Sequence, residues 1–230
     1  MKKILLPALL LCASYLSAQT FMPEFGQQWN RTTYVVKNDD SKVWGKAVFG
    51  VIGPNGLTQI TLKDTVSGEK TKFKIADMKE VGVSAKGMTK LSAMSNALEN
   101  TNSLKDATRS DYKSLLEADY FLYRRVVDKK GKPRILQLLN PGFESKMQVY
   151  VDPKAKETGG SKLTGGLTGG LEKSYYVTRG SSFGIYVKKA KYKKSMSSIF
   201  DGCSDVLKEF SDANFKDFAK HVYYYENECE

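Results

Sequence analysis

The chain has a single histidine, His221, and only three cysteines, Cys12, Cys203 and Cys229, with no C-x-x-C among them. A Ser-His-Asp triad or a zinc site needs several such groups converging, so neither is assembled in its common form from this inventory. No metal site is expected, and no motif calls for a cofactor. Beyond Leu16 there is no long apolar run, which excludes a later membrane-spanning helix and leaves the rest of the chain expected to be soluble.

The one apolar run lies at the start. Lys2 and Lys3 precede residues Ile4 to Leu16, which end in the small residues Ser17 and Ala18, the order of a cleavable export signal. A retained anchor needs about 20 apolar residues, and this run is shorter and interrupted by Pro7 and Ser14. Cys12 follows leucines, but Leu11 is too bulky for the small residue that lipoprotein processing demands at that place. Residues 1–18 therefore read as a signal peptide cut after Ala18, and the mature chain as exported: periplasmic, outer-membrane-associated or secreted.

Loss of Lys2 and Lys3 from a chain with 36 basic and 25 acidic residues lowers the net charge from +11 to +9. A charge of that size suits acidic partners such as lipid headgroups or anionic glycans, and it also simply aids solubility. Nucleic acid is acidic too, but it is not an expected partner. Cys12 leaves with the leader, so Cys203 and Cys229 remain as an even pair in an oxidising compartment, which reads as a disulfide. Closing a loop of roughly 27 residues would stabilise the fold by about 3 to 4 kcal/mol.

Strand-like runs at 33–37, 42–52, 57–63 and 69–75, separated by Asn38-Asp39-Asp40, Gly53-Pro54-Asn55-Gly56 and the turn from Asp64 to Gly68, predict an antiparallel β module within residues 19–86. In the last run Lys70, Lys72 and Lys74 alternate with Thr71, Phe73 and Ile75, so one face is wet and the other buried. Residues 87–111 predict a short helix carrying Met88, Leu91, Met94 and Leu98, then a polar linker. Within 112–230, runs at 120–128, 134–139, 147–151, 174–178 and 183–189 predict a five-stranded antiparallel sheet. Met196, Ile199, Phe200, Cys203, Val206, Leu207 and Phe210 make one helical stripe, and Phe215, Phe218, Ala219 and Val222 a second, with Asn214 as N-cap. The expected fold class is α+β: two antiparallel β modules with a C-terminal amphipathic helical hairpin.

Candidate chemistry is sparse. The glycine-rich segment from Thr158 to Gly170 has Ser161 before Lys162 and a strand after it, the wrong order for a phosphate loop, and reads as a connection between strands. Glu117 and Asp119 are the best acidic pair, and ordinary surface charge accounts for them. His221 reads as a structural or surface histidine, facing either the core edge or solvent, and Tyr223-Tyr224-Tyr225 is expected to leave at least one ring exposed. The densest cationic cluster is Lys188, Lys189, Lys191, Lys193 and Lys194, interleaved with Tyr186 and Tyr192. It is a candidate anionic-surface patch if the strand ends near Val187 and the chain turns; otherwise its lysines guard a sheet edge against aggregation.

The leader ending in Ala18-Gln19, the Leu138-Leu139-Asn140-Pro141 turn, Val149-Tyr150-Val151-Asp152-Pro153, Lys173-Ser174-Tyr175-Tyr176-Val177 and Phe200-Asp201-Gly202-Cys203 together resemble small secreted proteins of unknown function from Bacteroidota. The resemblance implies a Gram-negative envelope or secreted location and brings no catalytic residues. No C-terminal sorting domain is expected after the last helix. The expected function is a non-catalytic exported protein that binds a protein partner or an anionic envelope component, with a secreted hydrolase using carboxylate chemistry as the alternative. Protein recovered after export is predicted to begin at Gln19, checked by N-terminal sequencing; a product retaining Met1, or lipidated at Cys12, contradicts the assignment.

Overall fold

The computed structural model describes residues 21–86 except 23, 26 and 28, residues 118–155 except 129, and residues 174–180 and 184–229. The leader, the expected helix and linker of 87–111, and the glycine-rich segment lie outside the described residues. The described chain is mixed α/β, mostly strands, with a helical C-terminal region. Its strands are β1 (Arg31–Lys37), β2 (Lys42–Gly53), β3 (Gly56–Lys63), β4 (Lys70–Lys74), β5 (Met78–Ser84), β6 (Tyr120–Val127), β7 (Pro133–Gln137), β8 (Gln148–Val151), β9 (Ser174–Thr178) and β10 (Ile185–Lys188).

The first sheet runs β2-β1-β5-β6-β7-β3, and β3 pairs back onto β2, so these six strands close into a barrel with β4 added along β3. Alternation supplies the interior: Val35, Ala47, Ile60, Val81, Phe121 and Ile135 point inward and fill the narrow lumen with side chains. Two strands expected in the second sheet therefore belong to the first. The physical reason is β5, a strand outside the four expected runs. It pairs antiparallel with β1 and, from Glu80↔Arg124 to Ser84↔Tyr120, with β6, which draws the β6–β7 hairpin into the barrel. The second sheet then has three strands, in order β10-β9-β8, rather than five.

Closure depends on one parallel contact, Gly56↔Ile135, between the start of β3 and the middle of β7. Gly56 has φ of +83°, and a Cβ built there would stand 2.1 Å from the carbonyl oxygen of Ile135. Only glycine combines that left-handed backbone with so close an approach.

The two sheets are sewn together beyond β7. The Leu138 N–H donates to the Leu122 carbonyl (2.7 Å), Leu138 bridges Tyr150, and the Leu139 N–H donates to the Val149 carbonyl (2.7 Å). The segment before β1 crosses the same junction: the Met22 N–H reaches the Leu139 carbonyl (2.7 Å) and the Phe25 N–H reaches the Gln137 side-chain oxygen (2.8 Å). Phe21 packs with Phe143, Tyr175 and Phe218 in the second core, whereas Met22 and Phe25 sit in the barrel core.

After β10 a 3-10 turn, Lys189–Lys191, leads into α1 (Tyr192–Ile199), followed by α2 (Ser204–Glu209), a second 3-10 turn (Phe215–Asp217) and α3 (Phe218–Glu228). The expected two-helix hairpin is thus three helices. The first stripe breaks where Phe200 caps α1 and Gly202, at φ +87°, turns the chain. Asn214 does cap, its side chain accepting from the Lys216 N–H, although the turn it opens is 3-10. Met196, Ile199, Val206, Phe218 and Val222 enter the second core as expected, but Leu207 is exposed. Among the described residues no helix is long and apolar enough to cross a membrane.

Gly56→Ala is predicted to cost clearly more than the ~1 to 2 kcal/mol of a left-handed L-residue, because Ile135 must also withdraw from the seam. Gly131, at φ +74° with nothing within 4 Å of where a Cβ would stand, is the control, and Gly131→Ala should cost only the backbone term. Urea unfolding of both variants measures the difference; equal losses would show that the seam contributes little.

Candidate functional site

Where the barrel meets the second sheet there is a cleft of about 570 Å³. One wall is the barrel seam, with Asn55 and Thr58 at the start of β3 and Pro133 and Arg134 at the start of β7. The β6–β7 turn adds Asp128, Lys130 and Lys132; Lys154 follows β8, and Tyr176 and Tyr186 come from β9 and β10.

The two tyrosines are directly opposite in the β9–β10 register, with ring centroids 5.1 Å apart. The Arg134 guanidinium stands 5.5 Å from the Tyr176 ring and the Lys188 ammonium 5.0 Å from the Tyr186 ring, so a cation flanks each ring. Buried Asp152 organises this side. Its Oδ2 accepts from the Tyr186 hydroxyl (2.6 Å) and the Ser174 hydroxyl (2.6 Å), and its Oδ1 accepts from the Lys154 N–H (3.0 Å). One carboxylate therefore orients two residues that line the cleft. Burial and the hydrogen bond to Asp152 raise the Tyr186 hydroxyl above its ordinary range, which keeps it a neutral donor.

Asp128 is the only acid among the described lining residues, and its carboxylate is already engaged. It accepts from the N–H groups of Lys130 (2.8 Å) and Lys132 (3.0 Å) and pairs with Arg134 (3.1 Å). The Lys132 N–H leads the effects that lower its carboxyl below the usual range, with Lys130 and Arg134 adding to it. Elsewhere, Glu80 (2.7 Å) and Glu144 both bond Arg124, and Glu80 also accepts from the Tyr34 hydroxyl (2.8 Å). Burial lifts the Glu144 carboxyl above its ordinary value while Arg124 opposes the rise. An arginine held between two carboxylates ties β5 and β6 to the loop after β7.

Of the residues singled out in the sequence, Cys203 caps the start of α2 and Cys229 the end of α3, and the pair lies at disulfide distance with Cα atoms 5.7 Å apart. The lysine tract meets the condition set for a patch: β10 ends at Lys188 and the chain turns at once into the 3-10 turn and α1. Lys188, Lys189, Lys191, Lys193 and Lys194 are all exposed. Among the described residues of this tract, Lys188 stands against a cleft residue, Tyr186. Glu117 lies outside the described residues, and Asp119 is exposed. The three consecutive tyrosines are half-buried rather than exposed as a platform, because Tyr223 packs on Phe143, Tyr224 on Phe210 and Tyr225 on Phe200. Among the described residues no group of three or more His, Cys, Asp or Glu is placed to hold a metal ion.

The cleft itself was not visible in the sequence, although two signals pointed to parts of it. The runs at 174–178 and 183–189 marked the two strands whose pairing sets Tyr176 opposite Tyr186, and Lys130 and Lys132, close in sequence to Arg134, line the same cleft. No protein-family model matches this chain, nor does any curated protein or solved structure.

His221 lies in the second core with no exposed surface. Its Nδ1 is 2.5 Å from the Tyr192 hydroxyl, its ring is 4.2 Å from that of Phe210 between centroids, and Nε2 has no hydrogen-bond partner among the described residues. Burial lowers its pKa from 6.5 to about 4, partly opposed by Asp217 and Asp212. The folded ring stays neutral down to that value, whereas the unfolded ring takes a proton from about pH 6.5. The contribution is thus fully present above pH 6.5 and is lost as pH falls towards 4. Between pH 7 and 4.5 wild type should lose about 2 to 3 kcal/mol more than His221→Leu, measured by urea unfolding at both pH values. Equal losses would contradict the buried neutral state.

Proposed function

We propose that this chain is an exported, non-catalytic envelope or secreted protein whose cleft between barrel and second sheet binds an anionic ligand. The observation that carries the reading is the lining: Lys130, Lys132, Arg134 and Lys154 surround two paired tyrosine rings, against a single carboxylate that is already neutralised. Arg134 is matched by Asp128, but Lys130, Lys132 and Lys154 make no ion pair among the described residues, and such cations suit phosphate, sulfate or carboxylate groups, while adjacent aromatic faces suit a sugar ring. An acidic envelope glycan, or the acidic segment of a protein partner, meets both requirements. The resemblance to secreted Bacteroidota proteins supports the same compartment, as does the disulfide-distance pair Cys203 and Cys229, which is at home where thiols are oxidised. The hydrolase alternative has less support, because the carboxylate in the cleft is fixed to Arg134 and to the turn.

The test is titration with sulfated and uronate oligosaccharides, monitored by tyrosine fluorescence or calorimetry. Lys132→Gln with Lys154→Gln, both outside the cores, should weaken binding at least about 10-fold, since hydrogen bonds to charged groups contribute about 1.5 to 3 kcal/mol each. Added salt should weaken wild-type binding as well. Affinity unchanged by the double substitution would remove the cleft from the function.

A further inference from the structure

A second basic surface lies on the outside of the barrel, and its register sets it apart from ordinary solubilising charge. Pairing places Lys46 of β2 beside Lys63 of β3, and Lys63 beside Lys70 of β4, so three ammonium groups stand in one cross-strand row. Lys72 and Lys74 continue down β4 on the same outward face, opposite Thr61 and Gln59. Like charges directly opposite each other destabilise a sheet. None of these five lysines makes an ion pair among the described residues, whereas Lys37 and Lys79 nearby pair with Asp39 and Asp40. Strands β2, β3 and β4 contain no aspartate or glutamate. In the turn joining β3 to β4, the Asp64 carboxylate is occupied by the N–H groups of Val66 (2.8 Å) and Ser67 (2.7 Å).

Edge protection explains only part of this. β4 is an edge strand, but β2 lies between β1 and β3, and β3 between β2 and β4, so Lys46 and Lys63 guard no edge. Solubility does not explain the apolar neighbours either. Trp44, Phe49 and Val51 are 48%, 50% and 38% exposed along β2, with Phe49 opposite Thr61 and Val51 opposite Gln59 on the lysine face, and Val66 at the turn tip is 96% exposed. The Lys42 ammonium stands 4.7 Å from the Trp44 ring and 3.6 Å from the Tyr34 ring, extending the mixture of cation and aromatic group.

We propose that this face, β2-β3-β4 with the turn at Val66, docks the protein on a bilayer containing anionic lipid. The lysines meet phosphate headgroups, and Trp44, Phe49, Val51 and Val66 enter the interfacial layer, where tryptophan and other amphipathic or apolar side chains are stabilised. Neither signal alone gives firm attachment, and the two on one surface do. An acidic polysaccharide would engage the lysines but offers nothing to Val51 and Val66, so the bilayer is the better match. The proposal is independent of the cleft, which shares none of these residues.

The experiment is co-sedimentation of the exported chain with vesicles of equimolar phosphatidylglycerol and phosphatidylcholine, against vesicles of phosphatidylcholine alone. Binding to the anionic vesicles only is expected. The variant carrying Lys63→Gln, Lys70→Gln and Lys72→Gln should bind them roughly 100-fold more weakly with its thermal midpoint retained, since exposed lysines contribute additively near an anionic surface. Trp44 emission should shift to shorter wavelength on the vesicles, and the shift should vanish in Trp44→Phe, which leaves Trp29 as the reporter of the interior. Lys132→Gln with Lys154→Gln should bind vesicles like wild type, separating this face from the cleft. Absence of binding, equal binding to both vesicle types, an unaffected triple variant, or capture by polygalacturonate with none by vesicles would each overturn the proposal.

Discussion

The barrel is closed by a single parallel contact between Gly56 and Ile135, and much else in the molecule depends on where that contact falls. Because β3 begins there, its first residues and those of β7 are held side by side, and Arg134 comes within 3.4 Å of the Pro54 carbonyl. The same seam is one wall of the cleft. Closure also fixes the direction in which β7 leaves the barrel, so Leu138 and Leu139 pass from pairing with β6 to pairing with β8. The second sheet grows from that exit, and Tyr176 and Tyr186 arrive opposite Arg134 as a result.

Charge is distributed on this frame with a consistent logic. Where a carboxylate is buried or half-buried it is saturated: Asp152 by two hydroxyls and an N–H, Asp128 by a turn and an arginine, Glu80 by Arg124 and Tyr34. Desolvated carboxylates without partners would be costly, and each of these acids has partners. Many lysines, in contrast, are exposed and make no ion pair among the described residues, on the cleft rim and on the outer face of β2, β3 and β4. Surplus cation therefore lies outside and satisfied anion inside.

The second core has the opposite character. His221, Tyr192, Phe200, Phe210 and Phe218 form an aromatic cluster in which the one histidine of the chain is held neutral by burial. Helices α1 to α3 wrap this cluster, and the paired cysteines join the start of α2 to the end of α3. In so small a helical unit, built from segments of 8, 6 and 11 residues that would not be helical alone, packing and the cross-link supply the order that helix propensity does not.

The sequence by itself determined the local features. Period-two alternation and glycine-rich turns placed β1 to β4 and β6 to β10 within a few residues, and the cysteine count singled out Cys203 and Cys229. Apolar stripes located the helical region, and the alternation of Lys70, Lys72 and Lys74 marked a wet face. All of these depend on neighbours a few residues apart. Tertiary structure alone decided which strands share a sheet. It inserted β5, moved β6 and β7 into a barrel and left three strands where five were expected, because backbone pairing is common to all strands and carries no label for its partner. It also decided the sites. Arg134 and Tyr176 are 42 positions apart and ordinary in their own segments, and Lys46, Lys63 and Lys70 become a row only through register. The physical reason is that a turn's conformation is set by its own residues, whereas a cleft or a charged face is set by how a closed sheet brings distant residues together.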